Sequence, residues 1–177
     1  MRNMRFLACL FFAMLLTLNG CATKSKDDYR YIKDALVINL NATDDLNTFN
    51  NQSHTVVLAL YELSNPNIFN QMLEAPEGVV QLLEGKQFDE SVLSRRKLVI
   101  QPGENKEFRI DRVEGARYLG VVAGFYSMQG SGNFSRIFPI NLSSGPSYFW
   151  TKTEEPRKTI ELTLGSDGFM DVKKKQK

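Results

Sequence analysis

The side chains that most often carry enzyme chemistry are scarce in this chain of 177 residues. His54 is the only histidine, and no nucleophile-elbow sequence surrounds it. The carboxylate pairs Asp44–Asp45 and Glu154–Glu155 are adjacent, so their side chains diverge, and no calcium-loop spacing follows them. A zinc site needs three or four nitrogen or sulfur ligands, and here there is one histidine and no free cysteine, because Cys9 lies in the N-terminal apolar stretch and Cys21 is the expected lipidation site described next. The sequence therefore predicts no enzyme, no metal and no small-molecule substrate.

Cys21 is the one residue whose surroundings indicate a covalent reaction. Arg2 and Arg5 precede an apolar stretch at 6–18, which is too short to span a bilayer and is typical of a signal peptide. The stretch ends in Leu-Asn-Gly-Cys at 18–21, which resembles the bacterial lipobox. The resemblance implies that residues 1–20 are removed and that Cys21 carries the lipid, the only covalent group expected. The alternative is a short buried helix that ends in an unrelated cysteine.

The segment after Cys21 is polar and has no hydrophobic period, so residues 21–33 are predicted to form the lipidated end and a flexible tether. Ala22 stands where an aspartate signals inner-membrane retention in many Gram-negative lipoproteins, so the outer membrane is implied. Loss of Arg2 and Arg5 leaves 20 basic and 20 acidic residues. This balance disfavours nucleic-acid binding. The basic tail at 173–177 is expected to be a solvated end, with contact to lipid headgroups as the alternative.

Between residues 34 and 172 the apolar residues mostly alternate, which is typical of half-buried strands. Gln-Pro-Gly-Glu at 101–104 is a type II turn signal, and further turn signals lie at 143–146 and 166–168. Several short strands separated by turns predict an all-β sandwich or barrel. The predicted strands are 36–40, 56–61, 97–100, 107–111, 116–126, 134–140, 148–151 and 160–164.

One stretch between the second and third strands has helical spacing instead. Asn65 and Pro66 can start a helix whose apolar residues recur at 68, 69, 72 and 73. A second helical segment is predicted to begin at Pro76 and to end at Gly85. The sequence therefore predicts a helical insertion of about twenty residues.

The connection between the first two predicted strands, residues 41–53, is longer than a hairpin turn and mostly polar, yet it contains Leu46 and Phe49. Long loops with apolar residues of their own are often binding loops. The alternative is that both side chains fold back onto the end of the sandwich.

The order of these features resembles the TssJ lipoproteins of the type VI secretion system. The resemblance rests on the lipobox, on the segments 38–41, 56–63 and 98–104, and on Tyr-Leu-Gly-Val-Val-Ala-Gly-Phe at 118–125. It implies a transthyretin-like sandwich of two antiparallel sheets, held at the outer membrane and facing the periplasm. It also implies a partner, the periplasmic C-terminal domain of TssM, contacted through the loop between strands one and two.

On physical grounds we expect Leu46 and Phe49 to anchor this contact, with polar residues around them. The predicted loop site comprises Asp44, Asp45, Leu46, Asn47, Thr48, Phe49 and Asn50. Two other functions stay open from the sequence. One is a carrier of an apolar ligand, with space left by Gly120 and Gly124; the other is a cell-wall enzyme that uses His54.

Overall fold

The computed structural model describes residues 29–128, 133–142 and 157–171. The signal peptide, Cys21, the predicted strand at 148–151 and the basic tail lie outside these residues. The described part contains eight strands and two helices. In chain order they are β1 (Ile32–Ala42), β2 (Val56–Leu63), α1 (Asn67–Leu73), α2 (Pro76–Glu84), β3 (Val92–Ile100), β4 (Asn105–Arg112), β5 (Tyr118–Gly124), β6 (Ser135–Pro139), β7 (Lys158–Leu164) and β8 (Phe169–Met170).

The strands form two four-stranded sheets, in the orders β4-β1-β7-β8 and β3-β2-β5-β6. This confirms the predicted two-sheet sandwich with a helical insertion between β2 and β3. Among the described strands, β1 and β7 are the one neighbouring pair that runs parallel. No hairpin joins these two strands, because five strands and both helices lie between them in the chain, so their direction is not fixed by a short turn.

The main core lies between the sheets and is built by the alternating residues that the sequence places on one face. Residues of even number on β1, β2 and β7, and of odd number on β5, point into it. At the ten positions named next, the side chains are at most 3% exposed. They are Ile38, Leu40, Leu58, Leu60, Leu119, Val121, Ala123, Ile160, Leu162 and Leu164.

A second, smaller core forms where α1 and α2 cover part of the outer face of the β3-β2-β5-β6 sheet. Phe69 of α1 is fully buried, and its ring atoms lie 2.9–3.1 Å from the position that a Cβ on Gly120 would occupy. The Tyr61 hydroxyl donates a hydrogen bond of 2.6 Å to the carbonyl of Leu82 in α2. This core makes β2 buried on both faces, which fixes the helices against the sheet.

The helix boundaries agree with the sequence signals to within one residue. Pro76 is at the start of α2, and Gly85 ends it with a φ of 73°. Pro66 occupies the N-cap of α1, one position before its predicted place, and the Asn65 side chain accepts the N–H of Asn67 at 2.9 Å.

β3 and β8 differ most from the prediction, and β1 begins four residues before its predicted start. β3 begins at Val92, five residues before its predicted start, because an edge strand carries exposed Arg95 and Arg96 and so lacks clear alternation. β8 was not predicted, since a strand of two residues has no measurable period. The predicted type II turn is confirmed: the Glu104 N–H donates to the Gln101 carbonyl at 3.1 Å, and the φ of Gly103 is 72°.

The tether was predicted to stay flexible through residue 33, and this is wrong for its described end. The Tyr29 ring lies beneath the guanidinium groups of Arg117 and Arg112, at 4.8 and 5.6 Å. The Tyr29 carbonyl accepts the Gly115 N–H at 2.7 Å, and Arg112 donates to the Arg30 carbonyl at 2.9 Å. These contacts fix the chain before β1 begins. An eleven-residue strand spans about 35 Å, so the tether enters at one end of the sandwich and the loop after β1 lies at the other.

Candidate docking interface

The loop at 43–55, which joins β1 to β2, is held by hydrogen bonds to a neighbouring turn. The N–H groups of Asn47 and Thr48 donate to the carbonyls of Gly165 and Ser166, at 3.1 and 2.9 Å. These bonds extend the pairing of β1 with β7 past the end of the sheet. These hydrogen bonds therefore hold the loop against the end of the sandwich.

The tip of the loop is a tight hairpin. Phe49 and Gln52 exchange two backbone hydrogen bonds of 2.9 and 3.0 Å. The two residues between them, Asn50 and Asn51, have φ values of 49° and 59°. A turn with positive φ at both central residues is of the type I′ class, and asparagine is among the residues that tolerate it best.

Two of the seven predicted loop residues are buried. Leu46 is fully buried in the core between the sheets, so the prediction that its side chain anchors a partner is wrong. The reason is that Leu46 closes the end of the core, where burial of an apolar side chain is favourable. Asn47 is 3% exposed and is not a rim residue either. Its amide donates to the Thr55 carbonyl at 3.0 Å and its side-chain oxygen accepts the Tyr126 N–H at 2.7 Å.

The other five predicted residues reach the surface. Asp44, Asp45, Phe49 and Asn50 are exposed, and Thr48 is half-buried. The hydroxyl of Thr48 donates to the Asp45 carbonyl at 2.6 Å. These side chains are therefore presented by a backbone that is already fixed.

An aromatic stack forms the centre of this surface. The rings of Phe49 and Tyr126 lie 4.7 Å apart and are inclined by 16°. His54 packs edge-on against Tyr126 at 4.9 Å. Phe49 is 47% exposed and Tyr126 is 58% exposed, so a large apolar area faces solvent. Tyr126 could not be assigned to the site from the sequence, because its partner Phe49 is 77 residues away in the chain. We call the exposed loop residues together with Tyr126 the docking surface.

A groove of about 430 Å³ lies beside the docking surface, between α2 and the sheet. Its apolar lining includes Val57, Val80, Leu83 and Gly124, and Tyr126 lines its loop side.

Of the two glycines that the carrier alternative invoked, Gly120 leaves no space because Phe69 covers it, whereas Gly124 lines the open groove.

Comparison with known proteins adds to this geometry. The family model described as type VI secretion lipoprotein, VasD, EvfM, TssJ, matches residues 34–167. This chain belongs to the TssJ family of type VI secretion lipoproteins. No curated protein sequence gives a significant match.

Solved structures of type VI secretion proteins share the fold. TssJ1 of Pseudomonas aeruginosa is 20% identical, with a TM-score of 0.57, over 81% of this chain and 95% of that one. The Serratia marcescens protein Lip, a membrane-bound component of the type VI secretion system, is 18% identical, with a TM-score of 0.58, over 78% and 97%. A chain of the structure described as the T6SS protein TssM C-terminal domain (869–1107) from EAEC is 17% identical, with a TM-score of 0.56, over 76% and 94%.

In this family member, acidic side chains are exposed at the loop end of the sandwich, and the segments there carry no lysine or arginine. The segments 43–55, 124–128 and 165–170 contain no lysine or arginine. Three aspartates there are exposed, Asp44, Asp45 and Asp167. Lys97 lines the groove beside this surface and Arg136 lies over the Phe169 ring, so the acidic charge is concentrated on the loop, where it favours basic side chains of a partner.

Neither a metal site nor a membrane-spanning helix is found in the described ranges. No group of three or more His, Cys, Asp and Glu side chains within 29–128, 133–142 and 157–171 could hold a metal ion. The helices in the same ranges are too short or too polar to cross a bilayer.

Proposed function

We propose that this protein is the outer-membrane lipoprotein subunit of the type VI secretion membrane complex, and that it docks the periplasmic C-terminal domain of TssM through the docking surface. The observation that carries the proposal is the exposed Phe49–Tyr126 stack on a fixed loop. Support also comes from membership of the type VI lipoprotein family and from the similar chain in a structure described by the TssM C-terminal domain.

The geometry of the stack suits a protein contact. Aromatic side chains near the centre of an interface often contribute most of the binding free energy. The loop already holds Phe49 in place, so binding orders few additional side chains and costs less conformational entropy. Asp44, Asp45 and Asn50 would then form the polar rim of the contact.

The position of the tether fits a mechanical role. It enters beside Tyr29, at the far end of β1 from the docking surface. If Cys21 carries two or three acyl chains, the protein stays on the membrane, since a single chain gives only marginal binding. The domain would then hold the complex to the outer membrane without making or breaking any bond of a substrate.

Truncation of the central aromatic tests the docking. We expect Phe49→Ala to weaken binding to the TssM periplasmic domain tenfold or more, which corresponds to about 1.4 kcal/mol or more. Leu93→Ala is the matched control, because Leu93 is also a partly exposed apolar residue (39%) but lies at the tether end, near the start of β3. Isothermal titration calorimetry should show the loss for Phe49→Ala alone. Equal affinities for both variants and the parent protein would place the interface elsewhere.

Removal of the lipid acceptor tests the anchor. We expect Cys21→Ser to leave the fold intact, to shift the protein from the membrane to the soluble fraction, and to abolish type VI secretion. Cys9→Ser is the control, because Cys9 lies within the predicted signal peptide and would be discarded. Normal secretion by cells that carry only the Cys21→Ser protein would refute the anchoring role.

A further inference from the structure

The two helices leave part of the sheet beneath them uncovered. They bury the outer-face residues Ala59 and Tyr61 of β2, but the next row toward the loop consists of Val99, Val57 and Gly124. Val99 is 60% exposed, and Val57 is only partly covered. An apolar strip therefore faces solvent at the loop end of this sheet.

The groove described above has this strip as its floor. Val57 and Gly124 form the floor, and Val80 and Leu83 of α2 form a wall. A Cβ on Gly124 would lie 3.1 Å from a methyl group of Leu83, so Leu83 packs directly against the sheet here and the absence of a side chain on Gly124 lets α2 approach this closely. Val80 is 52% exposed, so its side chain adds apolar area to the groove wall that faces solvent.

The groove is continuous with the docking surface. Tyr126 and Asn47 line the groove, and the same two residues support Phe49 and its loop. A molecule that covers the Phe49–Tyr126 stack therefore meets the groove next to it. The expected occupant of the groove is therefore the same partner that binds the loop.

If residues 1–20 are removed, as the lipobox implies, the protein's own N-terminal segment is too short to be that occupant. Residues 21–28 precede the fixed Tyr29, and eight residues span at most about 28 Å. β1 alone separates the tether from the loop end by about 35 Å.

The charge of the neighbouring surface selects among partners from outside the chain. Glu84 and Lys97, which line the groove, add one charge of each sign, so the exposed aspartates Asp44, Asp45 and Asp167 leave the neighbouring surface acidic and favour a basic protein surface. We propose that the groove receives a bulky apolar side chain of the same partner that binds the loop, next to lysine or arginine residues that face these carboxylates. The loop and α2 then form one interface. This inference rests on the proposed docking function.

Substitution of the groove wall tests the proposal with the lipidated protein in mild detergent. We expect Val80→Glu to weaken binding to the TssM periplasmic domain about tenfold or more in biolayer interferometry, because the partner's apolar side chain would meet a charge. Gln81→Glu is the control: it adds the same charge at the next position of α2, outside the groove lining. We expect its affinity to stay within about twofold. Circular dichroism verifies folding, which the helix-favouring glutamate should preserve.

Phe49→Ala, measured in parallel, separates the two proposals. If Phe49→Ala weakens binding and Val80→Glu does not, the groove proposal is overturned and the docking function stands. If neither weakens binding, the docking function fails as well.

Methyl NMR gives a second, direct readout. In the complex we expect nuclear Overhauser contacts between the methyl groups of Val57, Val80 and Leu83 and side chains of the partner domain. Without partner, a change in fluorescence of Trp150 on Val80→Glu would show that the segment 143–156 fills the groove, and this would overturn the proposal. Dissociation of a homodimer by Val80→Glu would overturn it in favour of a second copy of the chain.

Discussion

Asn47 is predicted to hold the docking loop in place, and its replacement by alanine provides a quantitative test. The side chain makes two hydrogen bonds to the backbone, to Thr55 and Tyr126, and the residue has a φ of 48°. It therefore connects the loop both to the start of β2 and to the residue whose ring stacks on Phe49. Its removal should affect both stability and binding.

The expected magnitude follows from these contacts. Each lost hydrogen bond destabilises a protein by about 1 kcal/mol, and more where the abandoned partner stays buried. The left-handed conformation costs an alanine roughly 1 kcal/mol more. We therefore expect Asn47→Ala to lower the free energy of unfolding by about 3 kcal/mol.

Two further variants separate the effect of the lost hydrogen bonds from the effect of the backbone strain. Asn51→Ala carries the left-handed strain (φ of 59°) at an exposed position, where the side chain makes no hydrogen bond to a described residue. It should cost roughly 1 kcal/mol. Asn47→Gly removes the same two hydrogen bonds as Asn47→Ala but relieves the strain, and should cost about 2 kcal/mol.

Urea unfolding monitored by circular dichroism gives the free energies, and calorimetry with the TssM domain gives the affinities. Asn47→Ala should also weaken binding, although the residue itself is buried, because Phe49 and Tyr126 lose their fixed separation. If Asn47→Ala and Asn51→Ala cost the same, within 0.5 kcal/mol or so, the two hydrogen bonds do not hold the loop and the reasoning is refuted.

Two other predictions concern the core beneath the helices. Gly120→Ala would place a methyl group about 3 Å from the Phe69 ring, so we expect a loss of about 1–3 kcal/mol in thermal unfolding; an unchanged Tm would mean that α1 is not packed as described. Burial raises the pKa of Tyr61 from 10.0 to about 12, against an opposing effect of Arg95. The folded state thus holds this proton more tightly than the unfolded state, and the stability it contributes is complete below pH 10 and lost as the pH rises through 12. Tyr61→Phe should remove this part of the alkaline decline, roughly 2–3 kcal/mol, and an identical decline in both proteins would contradict the assignment.

The strands that alternate cleanly could be predicted from the sequence. β1 and β7 place one face in the core, and burial of that face imposes a period of two, whereas β2 and β5 are buried on both faces and were recognised as apolar runs of strand length. β3 was recognised only at its end, because a strand at a sheet edge can carry charged residues on its exposed positions. The parallel pairing of β1 with β7 depends on contacts between distant segments, which no local pattern encodes.

The docking surface was predicted only in part, for the same reason. The loop was located from its length and its apolar residues, but the sequence does not tell which of Leu46 and Phe49 faces the core. The positive φ at Asn47 and the bonds of its side chain direct Leu46 inward and leave Phe49 outside. Tyr126 could be assigned to the outer face of a strand, whereas its stacking on Phe49 required the folded structure.

Site-specific photo-crosslinking in living cells tests the central claim most directly. A benzoylphenylalanine residue at position 50, on the exposed hairpin tip beside Phe49, should form a covalent product with TssM on irradiation, whereas the same residue at position 93, at the tether end, should not. A product from position 93 and none from position 50 would show that the partner binds the opposite end of the sandwich.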